Sequence, residues 1–468
     1  MPNPDHPGEQ RPPGGASQRR PVGFLAAALA LLITVGGALM YQSYAVTLAG
    51  QYLQAVNLQA LPIKWEDLTF QRAAYASGDW LPIYGSSELY CCGDPYRGTQ
   101  LFAQMPTGFD LFAVGRAGTA DLFFLETFGA LGDALKGKKL VISDSPGWFF
   151  GRGGLAPTPY DGNFSPEIAE MFVYQSPLSL QLREAGARRM LAYPQSLSGQ
   201  PLLQLGLTTL ARGTPRALAA YDTLRPVGWL DAWVKQMQDA YQTVQFIQQH
   251  PTFKRNTSPQ PRSLNWPALV RQGTQIAAAR AAGDPFGYPT AIFNTLRQQK
   301  PFRTALQLYC NGATNRNGEL YPYPTGWEQS MLHSAEWTDL QLELEALRQL
   351  GAQPFVSSVP MPGIYDDETT ISQEARQGYY ARFMQVTQQA GVPAVDYQSH
   401  DEDRFFLNDT GAHFTPRGWI FANRALDLFW HGQSNIAIHQ ALDVLNQQSP
   451  PASLPSPATV GACSAGGG

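Results

Sequence analysis

The chain is short of charge and of cysteine. Asp, Glu, Lys and Arg make up only 15% of its 468 residues while 44% are hydrophobic, a balance that excludes a self-repelling disordered chain and demands a buried core. A net charge of −4 supplies no basic patch for a phosphate backbone, so nucleic acid is not an expected partner. The four cysteines, Cys91, Cys92, Cys310 and Cys463, form neither a CxxC pair nor a zinc spacing, and no metal or cofactor is expected from them. Backbone geometry makes the adjacent Cys91 and Cys92 poor partners for each other, which leaves open a bond from one of them to Cys310 outside the cytoplasm. There is no internal repeat, and the G-x-S-x-G elbow of α/β-hydrolases is missing.

What the sequence does have is one long apolar run. Pro21 to Tyr41, PVGFLAAALALLITVGGALMY, carries no charge. About twenty such residues at 1.5 Å rise cross a hydrocarbon layer of roughly 30 Å. Arg19 and Arg20 precede the run and Arg11 lies upstream, which holds residues 1–20 in the cytoplasm by the positive-inside rule and puts the rest of the chain outside. A cleaved signal peptide is the rival; its apolar core is normally shorter, and no clear small-x-small site with a polar start follows. The expectation is a single-pass anchor at 21–41 in the cell membrane. Residues 447–468, QQSPPASLPSPATVGACSAGGG, read by composition as a disordered tail.

The exterior part has a β/α rhythm. Strand-like runs at Leu81–Tyr84, Phe109–Val114 and Lys139–Ser143 alternate with helix-like runs that include Ala120 to Lys136. The rhythm returns late. Helix Trp337–Leu350 leads to strand Pro354–Val359, helix Gln373 to Ala390 leads to Pro393–Tyr397, and a last helix starts at Pro416. Such alternation implies a parallel sheet covered on both faces. Residues 160–335 are helix-rich, Gln-rich and interrupted by prolines, which suggests an inserted lid or helical subdomain dividing the exterior domain into 42–159 and 336–446.

In open α/β sheets the site lies beyond the carboxyl ends of the strands, so the residues after each strand carry the functional expectation. After the first comes Gly85-Ser86-Ser87-Glu88-Leu89. A tight glycine turn with a serine at a helix start makes a nucleophile platform, and the N–H groups there can hold an oxyanion; Gly-Ser-Ser is also ordinary turn and N-cap chemistry. After the second comes GRAGTAD (Gly115–Asp121), where Gly118 offers a second backbone donor, or where Thr119 caps a helix. After the third comes SDSPGWFF (Ser143–Phe150), in which Trp148 and Phe149 wall a pocket or fill the core. Near the end stands NDTGAHFTPRGW (Asn408–Trp419). His413 there is the candidate general base, with Asp409 on its other nitrogen; His333 beside Glu336 is the rival histidine. An early Ser, a Gly after the second strand and a late Asp/His follow the order of the SGNH hydrolase superfamily, a flavodoxin-like three-layer α/β/α sandwich, and not that of other serine-triad folds.

Several segments resemble the DltD family: YGSSELY (Tyr84–Tyr90), SPGWF (Ser145–Phe149), Glu336–Asp367, RQGYYARF (Arg376–Phe383) and DTGAHFTPRGW (Asp409–Trp419). The resemblance implies an anchored SGNH-like protein that acts with a polytopic membrane O-acyltransferase and an acyl carrier protein system to place D-alanine on teichoic acid, a cell-envelope glycopolymer. It assigns Ser87 as nucleophile, His413 as base and Gly118 as oxyanion donor; Gly85 and Trp148 are further candidates on the substrate side, read from the residues that follow the first and third strands. Two departures stand out. Asp409 is four residues before His413, where the family keeps two or three, and the Asn oxyanion donor of SGNH enzymes has no clear counterpart after the third strand, where the family carries Ser-Pro-x-Trp-Phe and the variable position here is Gly147, which offers no side-chain donor. Glu88 either receives the D-alanyl amine or is a carboxylate favoured by a helix N-terminus. Other functions consistent with the sequence are a non-catalytic scaffold for the acyltransferase and an envelope esterase.

Overall fold

The computed structural model describes residues 20–57, 67–257, 260–281, 331–363, 366, 371, 373–409 and 413–452. Five parallel strands form one sheet: β1 (Trp80–Gly85), β2 (Asp110–Gly115), β3 (Lys139–Asp144), β4 (Gln353–Ser358) and β5 (Ala394–Val395). Their order is β2-β1-β3-β4-β5, an order of doubly wound sheets whose switch point lies between β1 and β3. Each overlaps the run expected of it. β5 is only two residues long because its neighbourhood turns into the tight Gln398–His400 turn.

Side chains on the strands alternate between two cores, as the two-residue period of a strand requires. Tyr84, Phe112, Val114, Leu140, Ile142 and Val356 enter one cluster. Leu81, Ile83, Leu111, Ala113, Val141 and Phe355 enter the other. Every residue of β1 is buried, the signature of a strand covered on both faces. On the first face lie α3 (Leu68–Ser77), α5 (Asp121–Leu131), α12 (Glu336–Gln349) and α13 (Gln373–Gln389). On the second lie α4 (Gly98–Gln104), α11 (Trp266–Arg280), α14 (Pro416–Trp430) and α15 (Asn435–Gln448). The run expected as one helix to Lys136 breaks at Gly132, whose φ of +54° admits no regular helix.

Between β3 and β4 come α6 (Pro157–Asn163), α7 (Pro166–Tyr174), α8 (Leu180–Met190), α9 (Pro201–Arg212) and α10 (Pro215–Gln249), and then α11. Tyr160, Phe172, Tyr174, Leu203, Leu207 and Tyr221 from this stretch belong to the same core as the first face of the sheet. Among the described residues, five of its helices carry a proline at their first or second position, where a missing N–H costs nothing, and α10 continues through Pro226 for 35 residues.

The first helix, α1 (Arg20–Gly50), has 31 residues and so runs about 46 Å; the short α2 (Leu53–Asn57) follows it. From Phe24 it is long and apolar enough to cross a membrane, by length and composition. It outruns the expected span. Its last turns leave the exposed apolar stretch and pack on α10, with Ala45 fully buried beside Ala240 and Val244. At the other end, α15 extends to Gln448 and the Arg417 guanidinium grips the Ser449 carbonyl at 2.7 Å, so the chain is ordered a few residues past the expected start of the tail.

Candidate active site

The carboxyl ends of β1 and β2 pair at Gly85 and Gly115. Both positions need glycine. A Cβ on Gly115, which takes φ +147°, would meet the Gly85 carbonyl, and one on Gly85 would meet the Glu88 carboxylate. The close approach lets the chain leave β1 into a single tight turn, Ser87–Leu89. Ser87 thus stands at the rim of the sheet, on the first residue of that turn.

His413 reaches it from the far end of the chain. Leu407 and Phe414 form an antiparallel bridge, and Asn408 clamps the loop by donating its N–H to the His413 carbonyl at 2.7 Å and its side-chain N–H to the Phe414 carbonyl at 2.7 Å. Thr415 then caps α14, its hydroxyl accepting the N–H groups of Arg417 and Gly418. In this frame His413 Nε2 lies 2.8 Å from Ser87 Oγ. Its Nδ1 lies 2.8 and 2.7 Å from the two oxygens of Asp409. A carboxylate there holds the proton on Nδ1, which leaves Nε2 to accept the serine proton. Burial works against the imidazolium, but the hydrogen bond and charge of Asp409, joined by the charge of Glu88, outweigh it and raise the His413 pKa above its ordinary value. The four-residue spacing between Asp409 and His413 is therefore sufficient for contact. Residues 410–412 between them lie outside the described ones.

The donors expected around an oxyanion are arranged differently. Gly118, at φ +85°, has no room for a Cβ, which would stand 2.7 Å from Pro159 Cβ, but its N–H donates to Ser86 Oγ at 2.9 Å. Ser86 is the residue that sequence reasoning passed over. Its Gly-Ser-Ser context signalled it, yet only the pairing of the two strand ends shows which serine faces which loop. Thr119 does not cap a helix: its hydroxyl donates to the carbonyls of Gly85 and Arg116, stitching the second turn to the first, and α5 begins after Ala120. Asn163 donates to the carbonyls of Ala117 and Pro159 and braces the Gly118 loop.

Three further expectations resolve. Trp148 is 6% exposed and packs on Phe124, and Phe149 packs on Trp337 and Tyr379, so both are core. Glu88 is buried and accepts the Ser86 N–H at 2.7 Å; burial raises its pKa, and it braces the serine turn from beneath. Glu336 spends its two oxygens on the N–H groups of Asp121 and Leu155, which removes the partner suggested for His333. Another histidine, His400, does have a partner. It is buried against Phe406 with Asp403 at 3.1 Å.

The cysteine expectation needs correction. Cys91 and Cys92 are bridged to each other. The chain turns through a left-handed Cys92 (φ +75°) into Gly93 (φ +55°), which carries the two sulfurs to one side and makes the neighbouring pair possible. Cys310 lies outside the described residues. The two sulfurs sit beside Asp409 and His413, the one group of potential metal ligands found among the described residues.

A buried acidic cluster also escaped notice. Glu336, Asp339 and Glu343 line one face of α12, opposite Asp121 and Asp144 at the carboxyl end of the sheet. Arg189 pairs with Asp339. Burial, reinforced by mutual repulsion, pushes the pKa values of Asp121, Glu336 and Glu343 well up. The i, i+3, i+7 spacing on a helix was the available signal.

The DltD protein family matches residues 59–431 of this chain. Protein DltD of Bacillus subtilis (strain 168) is 23% identical over 373 residues, 79% of this chain and 87% of that protein. Protein DltD of Staphylococcus aureus (strain NCTC 8325 / PS 47) is 22% identical over 363 residues, covering 78% and 84% respectively.

Proposed function

The chain belongs to the DltD family, and from that premise we propose that it is an anchored SGNH-like acyltransferase that moves a D-alanyl or similar acyl group onto hydroxyls of a cell-envelope glycopolymer, as in teichoic acid D-alanylation. The observation that carries this reading is the continuous chain from Ser87 Oγ through the His413 ring to Asp409. The anchor is α1, with the α/β part outside the cell. The donor reaches the site from a polytopic membrane O-acyltransferase fed by an acyl carrier protein system.

Ser87 Oγ attacks the carbonyl carbon of an activated acyl ester as its proton passes to His413 Nε2. Asp409 stabilises the imidazolium and keeps the ring in place. The Ser87 N–H holds the developing oxyanion, joined by the Gly118 N–H once Ser86 Oγ turns away. The tetrahedral intermediate collapses, the leaving oxygen or sulfur takes the proton from His413, and an acyl-serine remains. A polymer hydroxyl then gives its proton to His413, attacks the acyl-serine and leaves as the ester, restoring Ser87. No metal or cofactor enters any step.

A scaffold that binds polymer without turning it over is the second reading, favoured by the hydroxyl of Ser86 on the Gly118 donor and the absent side chain at Gly147. Ser87→Ala separates the two. The transferase reading expects loss of envelope acyl esters and of fluorophosphonate labelling in the variant; undiminished acylation in cells that carry only Ser87→Ala would leave the scaffold.

A further inference from the structure

The acyl-transfer chemistry makes no use of the sulfurs beside it. Cys91 and Cys92 follow the serine turn by a few residues, and their Sγ atoms, a nitrogen of His413 and an oxygen of Asp409 all lie within 4.8 Å of one another. All four residues are only partly buried. As a bridge the sulfurs are poor donors. As thiolates they complete a set of two sulfurs, one imidazole and one carboxylate, which suits a soft or borderline divalent cation in tetrahedral geometry. Zinc takes sulfur at about 2.3 Å and imidazole nitrogen at about 2.0 Å, so the two sulfurs, bonded to each other here, must part on reduction to take separate corners of the tetrahedron.

We propose that reduction of the Cys91–Cys92 bridge opens a site for one zinc-like thiophilic divalent cation, held by Cys91, Cys92, His413 and Asp409, and that the bound cation withdraws the imidazole from Ser87. A dithiol reductant supplies the two electrons: the S–S bond breaks, two thiols form and the reductant becomes a disulfide. Cation binding then displaces both thiol protons. The bridge is thereby a guard, keeping thiophilic cations off the histidine while the surroundings are oxidising. The withdrawal of the imidazole rests on the acyl-transfer reading; the cation site does not.

The two parts are tested separately on the full chain in detergent, in a Cys310→Ser/Cys463→Ser parent so that only the pair supplies thiolate. After reduction with a phosphine, titration with cobalt(II) is expected to give a sulfur-to-cobalt charge-transfer band that saturates at one ion per chain. The band is lost in the unreduced parent and in a parent that also carries Cys91→Ser/Cys92→Ser. His413→Ala weakens cobalt binding. No band in the reduced parent, or an equal band without Cys91 and Cys92, overturns the site. Fluorophosphonate labelling of Ser87 is expected to vanish when zinc is added to the reduced parent, to return with chelator, and to ignore zinc in the oxidised parent. Undiminished labelling of the reduced, zinc-loaded protein overturns the withdrawal of the imidazole. Failure to label in every state, the oxidised metal-free one included, counts against acyl transfer alone, because the cobalt band reports the site independently.

Discussion

At the scale of single residues, the short contacts of His413 divide its two nitrogens between Ser87 and Asp409. Asp409→Asn keeps the shape of the acid but not the charge that stabilises an imidazolium, and its amide can bind the wrong tautomer. The rate of fluorophosphonate labelling is expected to drop by roughly three to four orders of magnitude, with the melting temperature little changed. A buried acid gives a second prediction. Burial pushes the Glu126 pKa to about 8, and Tyr160 donates to its Oε1 at 2.6 Å. An acid raised in the folded state binds a proton there that the unfolded chain has already released. Its contribution to stability is whole below the ordinary carboxylate range and is lost as pH rises toward about 8. Glu126→Gln, uncharged at every pH, is expected to flatten this part of the pH dependence of unfolding; parallel curves for parent and variant in urea titrations from mildly acidic to mildly basic pH would contradict it.

Among elements, α14 decides where the histidine stands. Its cap, Thr415, follows His413 by two residues and holds the N–H groups of Arg417 and Gly418, while Arg417 ties the first turn to buried Asp403 at 2.7 Å. Thr415→Ala is expected to cost about 1 kcal/mol in chemical unfolding and, in addition, to slow Ser87 labelling, because the residue just before the helix loses its fixed exit. Normal labelling in a destabilised variant would show that the Asn408 clamp suffices alone. The alternation of β1 to β4 and the proline start of α14 follow from local periods and caps, which a sequence displays. The engagement of Gly118 by Ser86 follows from how two strand ends meet, and Trp148 was equally compatible with cleft and core because an aromatic run has no period that distinguishes them.

For the whole molecule, the proposed topology places every residue after α1 on one side of the membrane. Val444 lies exposed on α15, far along the chain from the anchor. In the Cys310→Ser/Cys463→Ser background, Val444→Cys is expected to react with a membrane-impermeant maleimide in right-side-out vesicles without detergent. Reaction only after permeabilisation would reverse the orientation drawn from Arg19 and Arg20. The packing of Ala45 on Ala240 and Val244 ties α1 to the body, so in the proposed topology the site's position over the membrane is set by α10 as well as by the span.

The sequence by itself determined the apolar span and the parallel α/β alternation, and set a serine turn early and an Asp/His loop late, since each is written in neighbouring residues: an uncharged run, a two-residue or helical period, a turn before a helix. Tertiary structure alone decided that Cys91 and Cys92 bridge beside His413, that Glu88 faces inward beneath the serine turn, and that five carboxylates gather in one interior. These depend on distances between segments hundreds of residues apart or on the sign of a single φ angle, and short-range pattern carries neither.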